Sequence, residues 1–227
     1  MRRPAIALGA FAAATLTPTG PAFAENDVQY WLTLVAQADV DHNDTIYANA
    51  IFRSQPDEFD MGQRQLRLGL NHKFKDGDGV AVAYTHVRFY NDNAADVMQH
   101  RFTQAYMFPV GSLGDGKVDG RIQAEQIFQE HASEMGLRGR ARVRWIKPVD
   151  ANKNIELTLS EELFWALNTT DWGLESGFNS NRAGATLRFK LNDNFGVAPQ
   201  YIWQIAHRSN REDRNDHVLG IVLDAKF

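Results

Sequence analysis

An all-β chain, closed as an antiparallel up-and-down transmembrane β-barrel of ten or twelve strands, is what the 227 residues predict. Three observations carry this expectation. The last stretch, Val218 to Phe227, places Leu219, Ile221, Leu223, Ala225 and Phe227 on one face and Gly220, Asp224 and Lys226 on the other. Period two over ten residues makes one strand with an apolar face, long enough to cross a bilayer when tilted, and a terminal aromatic suits an interfacial girdle. The first residues read as an export signal: Arg2 and Arg3, the apolar run Ala5 to Leu16, then Ala22-Phe23-Ala24 as a cleavage site. That run is too short to span a membrane as a helix, which divides the chain into a signal peptide, 1–24, and a barrel domain, 25–227. Third, alternation recurs along the whole of the remainder, with no long apolar run anywhere.

Composition narrows the classes further. There is no cysteine, so packing and hydrogen bonds alone must stabilise an exported chain. Negative mean hydropathy excludes a helical membrane protein but not a barrel, because half of each barrel strand is polar. A net charge of −4 gives no reason to expect a nucleic-acid partner.

The strands follow in order. Gln29 to Ala38 shows Leu32, Leu34, Ala36 and Ala38 on one face; after the polar turn 39–44, Thr45 to Ser54 shows Ile46, Ala48, Ala50 and Phe52. Gln63 to Phe74 sets Leu66, Leu68 and Leu70 against Gln65, Arg67 and Asn71, and Asp76-Gly77-Asp78-Gly79 is a hairpin signal. Val80 to Tyr90 is apolar on both faces near Val82 and Ala83 and cannot be oriented. Arg101 to Phe108 is expected to stop at Pro109, with a glycine- and aspartate-rich turn region over 111–120. Arg121 to Glu130 carries Ile122, Ala124 and Phe128 outward, with Gln126 an awkward polar residue among them. Arg138 to Lys147, Ile155 to Leu167, Arg182 to Leu191, Phe195 to His207 and the terminal strand complete the set. Eleven segments result, whereas a barrel with both ends in the periplasm needs an even number; hence ten or twelve. Tight turns alternate roughly with longer polar links, as periplasmic turns and extracellular loops should.

Charge in mid-strand separates this pattern from a soluble β-domain. Arg140, Arg142, Arg144, Glu156, Thr158, Ser160, Arg188 and Lys190 lie on the polar face, while Tyr201 and Trp203 lie on the apolar face where interfacial aromatics are expected. Arg138, Arg140, Arg142 and Arg144 are alternate positions about 6.8 Å apart. Two such charges repel by about 2.4 kcal/mol at an effective dielectric near 20, and lipid exposure costs about 2–4 kcal/mol per arginine at the midplane. The row must therefore face the lumen. Its expected partners are Glu125, Glu156 and Glu162, with Glu125 reaching towards Arg144 and Glu162 towards Arg142. With Arg67, Arg121, Arg182 and Arg188 also inward, two outcomes stand: a charged network that stiffens a narrow barrel, or a narrow pathway that favours small anions or acidic sugars.

Several short motifs point to one family: Asp27-Val28-Gln29-Tyr30-Trp31, Gly120-Arg121-Ile122-Gln123-Ala124-Glu125-Gln126, Arg140-Ala141-Arg142-Val143-Arg144-Trp145, Glu161-Glu162-Leu163-Phe164, Asn179-Ser180-Asn181-Arg182 and His217-Val218-Leu219. In that order they resemble the bacterial family called domain of unknown function 2490, read as outer-membrane β-barrels. The resemblance covers essentially all of the chain after residue 24 and implies no activity. Leu219, Ile221, Leu223 and Phe227 likewise resemble the terminal assembly signal of bacterial outer-membrane barrels. The implied partners are outer-membrane lipids and lipopolysaccharide and the barrel-assembly machinery acting on the last strand, and the arginine-rich lumen adds small anions.

Other chemistry is sparse. His42, His72, His86, His100, His131, His207 and His217 are scattered, none at metal-ligand spacing, and no cofactor is implied. His207-Arg208-Ser209-Asn210 is similar to the His-x-Ser-Asn stretch of outer-membrane lipid A deacylases, in which histidine is the base for a serine nucleophile. Such a pair needs a third group to orient the imidazole. The outward positions of the last strand hold no acid, and Glu212 is too close in sequence. The expected reading is a polar strand end, with a lipid hydrolase using His207 and Ser209 as the alternative.

Overall fold

The computed structural model describes residues 25–75, 77–92, 94–208 and 212–227. Eleven strands succeed one another: β1 (Glu25–Asp39), β2 (Asp44–Ser54), β3 (Met61–Lys73), β4 (Gly79–Phe89), β5 (Val97–Leu113), β6 (Gly116–Gln129), β7 (Gly136–Pro148), β8 (Ile155–Ala166), β9 (Gly177–Lys190), β10 (Phe195–Ala206) and β11 (Arg214–Lys226). Each pairs antiparallel with the next, and β1 closes the barrel on β11. That last seam is parallel, from Glu25 opposite Arg214 to Gln37 opposite Lys226. The expectation of ten or twelve strands is therefore corrected to eleven. The parity argument holds only when every seam is antiparallel; one parallel seam closes an odd number. In consequence residue 25 and Phe227 lie at opposite rims.

The connections differ by rim. At the rim where Phe227 ends they are two to six residues long; at the other they run to between six and ten. Short turns are fixed by side chains that imitate backbone acceptors. Asp41 Oδ1 accepts the backbone N–H of Asn43 (2.7 Å) and Asp44 (2.8 Å), which holds its pKa below the ordinary value. Asp150 accepts that of Ile155 (2.7 Å) with the same effect. β5 does not stop at Pro109. It continues to Leu113 across a register shift between Pro109 and Gly111, and the turn shrinks to Gly114 and Asp115. An extra residue inserted at that point lets the strand carry a proline without losing the rest of its ladder.

Alternation sorts the faces. Outside lie Leu32, Leu34, Leu66, Leu68, Leu70, Ile122, Leu219, Ile221 and Leu223, all exposed. β4, which the sequence leaves unoriented, turns Ala81, Ala83, Thr85 and Val87 inward and Val80, Val82 and Tyr84 outward. Its small inward residues sit beside Arg67, whose Nε donates to Thr85 Oγ1 (2.8 Å). Gln126 finds a partner on the apolar outer face, where Gln104 donates to it (3.1 Å). Two amides that satisfy one another avoid most of the cost of an unpaired polar group among apolar neighbours.

Candidate functional site

The candidate site is the lumen, and period two builds it. β7 turns Arg138, Arg140, Arg142 and Arg144 inward; β6 adds Arg121, Gln123 and Glu125; β8 adds Glu156, Thr158, Ser160, Glu162 and Phe164; β9 adds Arg182, Thr186 and Arg188. Glu125, 1% exposed, is opposite Arg138 and accepts its Nε (2.8 Å) and Nη2 (2.5 Å) on one oxygen. Its other oxygen takes Arg140 Nη1 (2.8 Å) and the Gln123 amide (2.7 Å). Glu162 Oε1 takes Arg140 Nη2 (2.8 Å) and Arg121 Nη2 (2.6 Å). Arg140 thus bridges the two glutamates.

Aromatic rings complete this layer. Phe164 is 2% exposed, with the guanidinium carbons of Arg140 and Arg182 each 4.5 Å from its ring centre and that of Arg138 at 5.5 Å. Arg53 stacks at 3.8 Å on Trp31, which Arg182 also approaches at 5.3 Å. Contacts of this kind are worth more where water is excluded. Nearer the long-loop rim, the fully buried Asp216 accepts Gln29 (3.0 Å), Gln204 (2.7 Å) and Arg214 Nη2 (3.1 Å). The connection 167–176 tucks into the same mouth. Leu174 is buried, Trp172 Nε1 donates to Glu134 O (2.8 Å), and a Cβ on the inward position Gly136 would meet Trp172 at 2.6 Å and Leu174 at 2.8 Å. The half of the lumen towards the long loops is filled with side chains.

The half towards Phe227 is open. A cavity of about 530 Å³ is lined by Arg142, Arg144, Arg182, Arg188, Glu156, Glu162, Asp224 and the hydroxyls of Thr158, Ser160 and Thr186. A second of about 220 Å³ lies against Arg67, Arg121 and Tyr47. Arg188 makes a two-pronged bond to Asp224 (2.9 and 2.6 Å), reaching across β10 at Gly196, where a Cβ would meet both side chains inside 3 Å.

Two expected pairings change. Arg144 binds Asp119 (3.0 and 2.7 Å), its register neighbour, and not Glu125. β7 begins at Gly136, two residues before the alternation suggested, and the short connection 130–135 sets Glu125 opposite Arg138. Glu162 is opposite Arg142 as expected, but Arg121 and Arg140 take its oxygen. Arg142 is left with no carboxylate within 4 Å among the described residues, and its buried Nε has no partner. Glu156 faces the cavity opposite Arg188 without an ion pair. Trp31, Arg53, Asp119, Phe164, Gln204, Asp216 and Asp224 were not singled out from sequence. Asp119 shares inward parity with Arg121, and Phe164 with Glu162, so parity alone would have found those two.

Of the other candidate residues, Leu219, Ile221 and Leu223 are outward on β11. Phe227 packs edge-on against Phe195 (ring centres 6.4 Å apart), and its backbone exchanges hydrogen bonds with Gln37 and Asp39 of β1. His207 Nδ1 lies 2.8 Å from Asp213 Oδ1, an acid just before β11 and outside the outward positions of that strand. Both groups are nearly half exposed, and Asp213 also accepts the backbone N–H of Arg208 (3.3 Å). Ser209 lies outside the described residues.

Residues 28–216 match the family described as "protein of unknown function (DUF2490)". An uncharacterized protein of Methylorubrum extorquens is 26% identical over 168 residues, 74% of each chain. Among solved structures, the translocator domain of the autotransporter NalP from Neisseria meningitidis is similar in fold, with a TM-score of 0.54 at 14% identity over 79% of this chain and 72% of that one. The chain belongs to the DUF2490 family.

Proposed function

We propose that this protein is an outer-membrane β-barrel, exported with cleavage after Ala24, whose lumen is closed by its own side chains towards the cell exterior and opens as an arginine-lined vestibule towards the periplasm. Its role is structural, a self-plugged barrel and not an open pore. The observation that carries this reading is the buried layer in which Arg140 joins Glu125 to Glu162 beneath Phe164 and Trp31. Every outward leucine and isoleucine would meet lipid, and closure removes the sheet edges that lipid cannot satisfy. Short turns on the Phe227 rim and longer ones opposite support a periplasmic Phe227. Outer-membrane lipids and lipopolysaccharide surround the apolar face, and the assembly machinery acts on Leu219, Ile221, Leu223 and Phe227. The test is fractionation of cells producing the native chain: recovery with the outer membrane, as a species whose gel mobility changes on heating, supports the reading. Recovery in the soluble periplasm overturns it.

A narrow anion-favouring pathway is the second reading, and one observation favours it. Arg53, Arg67, Arg101, Arg142 and Arg182 face the lumen with no carboxylate partner among the described residues; Arg67, Arg101 and Arg182 donate only to neutral Thr85, Gln99 and Gln204. A weakly anion-selective current that falls on Arg142→Glu would support it. The lipid-hydrolase alternative draws no support from the relatives.

A further inference from the structure

The vestibule below the plug is built for something it does not itself supply. Its wall carries four arginines, but their counter-charges are unevenly spent. Arg188 is held by Asp224 and Arg144 by Asp119, while Glu162 serves Arg121 and Arg140. Arg142 faces the cavity with a buried, unpartnered Nε, and Arg182 donates only to a neutral amide. An arginine taken out of bulk water without a counter-charge is costly, and in a confined low-dielectric space that cost becomes attraction for an incoming anion. Guanidinium groups match carboxylate and phosphate oxygens two-on-two.

Val35, Ala198, Ile202 and Val222 also line the cavity, and the polar groups beside them say what else such an anion carries. Thr158, Ser160, Thr186 and Gln200 turn three hydroxyls and an amide into the cavity, and none makes a hydrogen bond within the described protein. Glu156, also unpaired, adds a carboxylate acceptor on the same wall. Free donors and acceptors around uncompensated cations suit a ligand that is anionic at one end and hydroxylated elsewhere. A volume of about 530 Å³ is within the range of small-molecule sites. We propose that this vestibule binds a monosaccharide bearing a carboxylate or phosphate, with its acid group on Arg142 and its hydroxyls towards Thr158, Ser160 and Gln200. The ligand enters from the Phe227 rim, because the other half of the lumen is filled.

The proposal rests on the barrel reading above, and the test separates the two. The full chain is purified in detergent, and its thermal unfolding is followed with glucuronate, glucose 6-phosphate, glucose, inorganic phosphate or sodium chloride at matched ionic strength. Saturating glucuronate or glucose 6-phosphate should raise the midpoint by several degrees, because only the folded state binds, and glucose and chloride should not. Arg142→Gln should weaken binding at least tenfold without lowering the unliganded midpoint, since Arg142 makes no ion pair to lose. Ser160→Ala should weaken the sugar acids while leaving any inorganic phosphate effect unchanged. A glucuronate shift that survives in Arg142→Gln overturns the site, and inorganic phosphate reproducing the whole effect overturns the sugar class. A folded barrel indifferent to both sugar acids overturns the proposal alone. A chain with no β-rich, heat-modifiable form in detergent overturns the barrel reading and the proposal with it.

Discussion

Replacing Glu125 by glutamine removes the charge that holds two arginines in the plug. The carboxylate is 1% exposed and accepts three guanidinium bonds, from Arg138 at 2.8 and 2.5 Å and from Arg140 at 2.8 Å. An amide of the same shape keeps one acceptor oxygen but presents an NH₂ to a guanidinium, so one buried arginine loses its partner outright. Breaking a buried pair from one side costs about 3–5 kcal/mol. For a chain of this length each kcal/mol moves the midpoint by roughly 2–4 °C, so Glu125→Gln should unfold roughly 6–20 °C below the native protein. The comparison is Glu156→Gln, which disturbs no ion pair and should stay within about 0.5 kcal/mol. Removing both partners, as Glu125→Gln with Arg138→Met, should recover part of the loss, because an apolar replacement leaves no orphaned charge. Heat-modified mobility and far-ultraviolet circular dichroism in detergent read all three. If Glu125→Gln unfolds within 2 °C of the native chain, the network is not what braces the lumen.

Four further outcomes follow from the same geometry. Gly196→Ala sets a methyl group 2.6 Å from Arg188 and 2.7 Å from Asp224; it should cost about 1–3 kcal/mol, and combining it with Asp224→Ala should cost less than the sum. Deleting Phe227 removes its backbone bonds to β1 and its ring from Phe195, so the yield of heat-modifiable barrel in the outer membrane should fall. Because β1 and β11 run parallel, an epitope placed before residue 28 should be open to protease on intact cells, whereas one after Phe227 should be protected until the outer membrane is breached. Asp150 has its pKa lowered by the backbone N–H of Ile155, so its contribution is present above about pH 4 and is lost as pH falls through the lower folded value. The midpoint difference between the native chain and Asp150→Ala, read by thermal scans across pH, should therefore shrink below pH 4.

Much of this was legible in the sequence because barrel strands advertise themselves locally. Arg138-Gly139-Arg140-Ala141-Arg142-Val143-Arg144 has only one orientation that turns its four charges into a closed barrel, and the structure adopts it. Leu219, Ile221 and Leu223 mark the outer face of β11 in the same way. Properties set by distant residues were not legible. The parallel seam between β1 and β11 joins segments nearly two hundred residues apart and leaves no local signature. Side-chain partners depended on register, which the alternation does not set: Glu125 lies opposite Arg138, six residues from the expected Arg144. β4 gave no face because alanine fits either side; the lumen's need for space around Arg67 decided it. The plugging connection 167–176 reads as an ordinary polar link, and only packing of Trp172 and Leu174 over Gly136 gives it a role.

The layer built on Glu125, Arg140, Glu162 and Phe164 is what the proposed barrel uses to shut its lumen. Conductance of the purified protein in planar lipid bilayers tests it most directly. The native chain should insert without a steady current, and a measurable current should appear once the layer is thinned by Arg140→Ala with Phe164→Ala. A stable ohmic current from the native chain would contradict it.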